Sequence, residues 1–135
     1  MNESIEKKEF IEKLKIMDQE KDAVVTKIKG IQTKAITKTQ AQNLREYASQ
    51  TSSIEELLLY IDYQCTRNLK SEKDKDPKKR KEKQEYNDNL KQTSNDLKKC
   101  IESYKNKYSS KKEVALEIVR YAMGIFTHHV MIQSK

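Results

Sequence analysis

Two glycines and one proline are all that this chain of 135 residues carries. Sandwiches and barrels turn every few residues, and their turns use Gly and Pro for specific dihedral angles. Such folds are therefore excluded. Lys, Glu, Gln and Leu, which favour helix, are abundant. The expected fold is all-α: a small helical bundle of about five helices, one of them long, in a single domain over residues 1–135. Only 35% of the residues are apolar and 36% are charged, so the core must be lean and the surface large.

Residues 2–30 read as one or two helices, with Phe10, Ile11, Leu14 and Met17 followed by Val24, Val25, Ile28 and Ile31, and Gly30 as the stop. Heavy alternation of charge sign marks residues 1–33 as a solvent-exposed helical segment, with mobility left open. Thr37-Lys38-Thr39-Gln40 has the spacing of a capping box, and Ser53-Ile54-Glu55-Glu56 is a second. In the helix after Ser53, Ile54, Leu57, Leu58, Ile61 and Cys65 line one face. Leu59, Tyr60 and Tyr63 cover much of the rest, so this helix is expected to be central.

Residues 70–77 read as an exposed linker. Asp76-Pro77 then offers an N-cap and an N1 proline. A long helix should run to about Tyr108 on a stripe of Tyr86, Leu90, Leu97, Ile101, Tyr104 and Tyr108, spanning roughly 45 Å. Ser110-Lys111-Lys112-Glu113 is a third capping box. The last helix carries Val114, Ile118, Tyr121 and Ile125 beside Ala115, Val119, Ala122 and Phe126.

The formal charge is +7. It suits a nucleic acid or an anionic membrane surface, and it also suits a lysine-rich surface with no such partner. A membrane partner ranks last, because a basic amphipathic anchor needs bulky apolar residues and the chain has no Trp and two Phe. Residues 1–20 lack the apolar core of a secretory signal, and no window approaches the roughly 18 apolar residues of a membrane span. The two cysteines, Cys65 and Cys100, fit a reducing compartment, and a cytoplasmic location is expected.

No catalytic constellation is visible, and no cofactor, metal or small-molecule substrate is expected. His128 and His129 point about 100° apart on a helix and cannot chelate one ion together. Zinc-type Cys or His spacings and phosphate-binding glycine patterns are missing. The basic residues are the better candidates for a site. Lys34 and Lys38 stand at the start of the first capped helix, and Gln42 and Arg45 project from its first turns. Arg67 and Lys70 lie where the next helix ends. Arg120 has two readings, pairing with a carboxylate of the long helix or reaching a phosphate through its planar fork. Lys78, Lys79, Arg80 and Lys81 form the densest cluster, in a first helical turn where the dipole disfavours cations. The tyrosines fall mostly on apolar stripes, as core residues do and the rings of a base-stacking platform do not, so any nucleic acid would be held chiefly by its phosphates.

Three segments resemble the small subunit of type III-A CRISPR–Cas effector complexes, the Csm small subunit. Ile36-Thr37-Lys38-Thr39-Gln40 resembles that family's Thr-x-Ser-Gln helix start. Leu59 to Arg67, ending Tyr63-Gln64-Cys65-Thr66-Arg67, resembles its second helix, which ends Tyr-x-Ala-Gly-Arg. Ile118-Val119-Arg120-Tyr121 with Ile125-Phe126-Thr127-His128-His129 resembles its aromatic-rich last helix. The resemblance covers residues 34–69 and 110–131. Gln42 stands where the family has Arg, and Thr66 where it has Gly.

The resemblance implies a non-catalytic subunit that self-associates along the effector beside other subunits. It would touch guide RNA and target RNA through phosphates, in antiviral defence. Lys38, Arg67 and Arg120 match the family's contact positions. A helical adaptor with incidental charge is the alternative, and it requires the Tyr86–Tyr108 stripe to be partly open for a partner helix.

Overall fold

The computed structural model describes residues 2–133, with side chains from residue 4. Among these are five α-helices and no strand. They are α1 (Asn2–Lys29), α2 (Lys38–Gln50), α3 (Ile54–Thr66), α4 (Pro77–Lys107) and α5 (Lys112–Gln133). The all-α bundle with one long helix is thus what the composition dictates. α4 has 31 residues, about 46 Å at 1.5 Å per residue.

The helix starts show how far local sequence controls the ends. The Thr37 box is complete: the Gln40 N–H donates to Thr37 Oγ1 at 3.1 Å, and the Thr37 N–H donates to Gln40 Oε1 at 2.9 Å. Asp76 accepts from the Lys78 N–H at 3.0 Å, with Pro77 behind it at the first helical position. The Ser53 box is only half made. Ser53 Oγ accepts from the Glu56 N–H at 3.2 Å, but the Ser53 N–H donates to Thr51 Oγ1 at 3.1 Å. Thr51, two residues earlier, takes the donor that Glu56 would have met.

The Ser110 box does not form. The Lys111 N–H donates back to Tyr108 O at 2.9 Å, and this turn delays α5 by one residue. Lys111 O then accepts the first helical bond, from Ala115.

α5, and not α3, is the central helix. It packs against α1, α2 and α4, whereas α3 packs chiefly on α4 and α2. The expectation of a central α3 fails because its buried arc is narrow: Ile54, Leu57, Ile61, Gln64 and Cys65. Leu59 is 74% exposed and Tyr63 is 55% exposed. α5 buries nine residues over two adjoining faces, from Val114 to Val130. All five helices feed one hydrophobic core. α1 joins it through Val24 and Ile28, while residues 4–12 lie exposed along its first half.

A few contacts fix directions. Gln40 Nε2 donates to Gln64 O at 2.8 Å, so α2 begins beside the end of α3. The Thr127 hydroxyl donates to Ala41 O at 3.1 Å and Arg120 Nε to Ala48 O at 3.0 Å, so α5 runs antiparallel to α2. His129 Nε2 lies 3.3 Å from Ile31 O, and Lys13 pairs with Glu117 at 3.8 Å, so α1 runs parallel to α5. One end of the bundle therefore gathers the 30–37 loop, the end of α3, the 67–76 segment and the first half of α4. The other end gathers the α2–α3 turn, the end of α4 and the start of α5.

Candidate nucleic-acid interface

The charge of the chain is concentrated in sequence. Residues 67–83 hold nine Lys or Arg against four Asp or Glu, a surplus of five out of the total of +7. Residues 2–29 hold seven of each and are neutral. The structure folds the basic stretch onto a fixed support. Asn87, on the buried stripe of α4 and 3% exposed, clamps Lys70 in both directions. Its Oδ1 accepts from the Lys70 N–H and its Nδ2 donates to Lys70 O, each at 2.8 Å. The Lys70 ammonium lies 4.0 Å from the centre of the Tyr86 ring, within cation–π range.

Further along, Lys83 pairs with Asp74 at 2.9 Å, and Arg80 Nη1 donates to Asp74 O at 3.3 Å. The hydrogen bond from Lys83, helped by the Asp76 N–H, holds the Asp74 carboxyl below its usual range. The segment before α4 is thus tied down at Lys70, Asp74 and Asp76.

The other candidates lie on the 30–37 loop, on α2 and at the end of α3. Lys34 is exposed on the loop before α2, and its N–H donates to Gln32 Oε1 at 3.0 Å. Gln32 Nε2 in turn donates to Asn89 O at 2.6 Å and to Thr93 Oγ1 at 3.1 Å, which fastens the loop to α4. Lys38 is the first residue of α2 and is exposed. Gln42 and Arg45 follow one and two turns later, also exposed. Arg67 is the C-cap of α3, its guanidinium carbon 5.8 Å from the Tyr63 ring centre. Among the described residues, Lys34, Lys38, Arg45, Arg67, Lys70, Lys78, Lys79 and Lys81 form no ion pair.

Arg120 stands apart. Its Nε and Nη2 donate to Ala48 O and Thr51 O, each at 3.0 Å, and its Nη1 donates to Glu117 Oε1 at 2.9 Å. It does not meet a carboxylate of α4, as one reading expected. It satisfies carbonyls that the end of α2 leaves open and pairs within its own helix. Its fork is therefore committed at the far end of α2 from Lys38. His128 is exposed while His129 is half-buried against Ile31.

Sequence reasoning missed Asn87 and Gln32, the residues that hold the basic segments in place. Both are polar and look like surface positions. A signal did exist for Asn87. It opens a 3-4-3-4-3 spacing with Leu90, Ser94, Leu97, Ile101 and Tyr104, all buried, and a polar residue in such a stripe demands partners.

Cys65 and Cys100 are free and buried. Burial, then the charge of Asp62, pushes the Cys65 thiol up to about 12, which makes it inert as a nucleophile. Among the described residues no three His, Cys, Asp or Glu side chains converge on a metal-sized site. Among the described residues no helix is long and apolar enough to cross a membrane. No protein-family model, curated protein or solved structure matches this chain.

Proposed function

We propose that this chain is a non-catalytic RNA-binding protein that grips the sugar–phosphate backbone with its basic end. In its finer form the proposal is the small subunit of a type III-A CRISPR effector, working in the cytoplasm. There it would line the guide RNA–target RNA duplex beside further copies and other subunits. The observation that carries the reading is the unpaired charge at one end. Among the described residues, Lys34, Lys38, Arg67, Lys78, Lys79 and Lys81 have no carboxylate paired with them, and Asn87 and Gln32 hold their segments in place. Three of these cations, Lys78, Lys79 and Lys81, crowd the start of α4 beside Arg80, where the helix dipole opposes them. An external polyanion removes that conflict. Contacts of this kind are indifferent to sequence and steeply sensitive to salt. Arg45 and Gln42 extend the face along α2, and Lys70 joins it over Tyr86. Arg120 is left out, its donors being used inside the fold.

The test is to purify a tagged copy from its native host at mild salt and to identify the accompanying RNA and proteins. Short RNAs with a uniform 5′ segment and stepped lengths, arriving with several subunits, are expected. A single protein partner without discrete RNA would overturn the proposal.

A helical adaptor is the second reading, and one observation favours it. Phe10 and Leu14 on the first half of α1 are 59% and 53% exposed. The α4 stripe it first required is occupied, with Leu90, Leu97, Ile101 and Tyr104 covered by the chain's own helices. Loss of a protein partner on Phe10→Glu, with RNA binding absent in the wild type, would select that reading.

A further inference from the structure

The outer face of α3 carries two large side chains that the core does not use, Leu59 and Tyr63, one turn apart. Tyr63 ends a row of rings. Tyr47 of α2 stacks on Tyr60 of α3 with centroids 4.1 Å apart and planes within 13°. Tyr60 lies 6.1 Å from Tyr63 at 34°. The inner end of the row is fixed, because buried Gln64 donates from Nε2 to the Tyr60 hydroxyl at 2.7 Å. One turn beyond Tyr63 comes Arg67, a cation of the basic end, 5.8 Å from the ring. A braced ring, more than half exposed, thus adjoins a cation that has no ion-pair partner among the described residues.

We infer that Tyr63 is a stacking site for an unpaired nucleobase, with Arg67 holding the adjoining phosphate and Leu59 flanking the base. The inference rests on the RNA-binding reading and refines its ligand. A base inside a duplex already has both faces covered by its neighbours, so only a single-stranded or extruded nucleotide can lie on Tyr63. Stacking on an aromatic ring tolerates any base, which agrees with phosphate contacts that ignore sequence. The patch is continuous with the basic end through Arg67, and that continuity favours a nucleotide over a protein as its occupant.

The full chain contains no Trp, so Tyr63→Trp creates a single tryptophan emitter at the site. That variant is titrated at low salt with oligouridylate of about twelve nucleotides, a length within the usual single-strand site size, and with a blunt RNA duplex of equal length. Its emission is expected to be quenched by the single strand and not by the duplex. Tyr63→Ala is expected to lose about five- to tenfold in single-strand affinity, to change duplex affinity less than about twofold, and to keep wild-type helicity. Tyr63→Phe should bind as the wild type does. Unchanged single-strand affinity in Tyr63→Ala, while wild-type binding stays salt-sensitive, would overturn the stacking site and leave the backbone reading standing. Failure of the wild type to bind either RNA would remove both.

Discussion

The two ends of this bundle use most of their lysines differently, although Lys83 at the basic end pairs with Asp74. At the end where α4 stops and α5 starts, lysines reach across to carboxylates of other helices. Lys105 meets Glu55 and Lys107 meets Glu20, each at 2.9 Å, and Lys111 meets Glu12. The hydrogen bond from Lys111 holds the Glu12 carboxyl below its usual range, and that from Lys105 does the same for Glu55. At the other end, Lys34, Lys38, Lys78, Lys79 and Lys81 have no such partner among the described residues. The +7 of the whole chain is therefore a poor guide to its chemistry. Paired surface lysines add little to stability and hold little charge for a partner. Unpaired ones repel one another and destabilise the first turn of α4 unless an anion arrives.

The largest expected effect separates affinity from stability. Lys78→Glu, Lys79→Glu and Lys81→Glu together should weaken RNA binding by about a hundredfold or more. The same changes should leave thermal stability equal or slightly higher, because acidic residues suit a helix start by about 0.3–1 kcal/mol each. Fluorescence anisotropy and thermal melts read the two quantities. Changing Lys105, Lys107 and Lys111 to Gln is the matched control, with less than about a twofold change in affinity, as expected of paired cations. Equal losses in the two triple variants would erase the distinction between the ends.

Next comes Arg120, at the paired end. Arg120→Ala strands the Ala48 and Thr51 carbonyls and should cost about 2–3 kcal/mol in denaturant unfolding, without changing RNA affinity per folded molecule. Arg120→Lys should not restore stability, since one ammonium cannot replace a three-way fork. A loss of affinity in a fully folded Arg120 variant would place this residue in the interface after all.

Asn87→Ala links the two quantities at the basic end. It should cost about 1–2 kcal/mol, speed hydrogen exchange at the Lys70 amide, and weaken RNA binding a few-fold although Asn87 carries no charge. Unchanged exchange at Lys70 would show that the clamp does not hold the segment.

The smallest effect is with acid. Glu12 and Glu55 have folded-state pKa values below the ordinary 4.5. Their contribution is present above that value and is lost as pH falls through the lower folded one. Stability should therefore slip as pH drops below about 4.5, and by less in Glu12→Gln with Glu55→Gln. Thermal melts across that range measure the difference.

The helices themselves were legible because their signals are local. Thr37 with Gln40, and Asp76 with Pro77, act on the residues beside them, and the caps form as their spacing requires. Where a neighbour competes, local signals mislead. Thr51 takes the Ser53 N–H, and Tyr108 O draws the Lys111 N–H away from the Ser110 start. Which helix becomes central depends on what the others bring, so the apolar run of α3 misdirected and the wider arc of α5 prevailed. The candidate site divides in the same way. Exposed cations are easy to name from sequence. The polar clamps that position them, Asn87 and Gln32, are read as surface until the fold brings Lys70 against Asn87 and α4 against Gln32. Arg120, half-buried, fits either class from sequence alone, and only the carbonyls of Ala48 and Thr51 decide it.

The most direct measurement is the affinity of the wild-type chain for single-stranded RNA across a salt series, beside the Lys78, Lys79 and Lys81 to Glu variant. With bare cations gripping phosphates, log K should fall linearly with log salt at about 0.7 per phosphate neutralised, and the variant's slope should be shallower by about 2. A flat wild-type line, or equal slopes for the two proteins, would contradict a phosphate grip at the basic end.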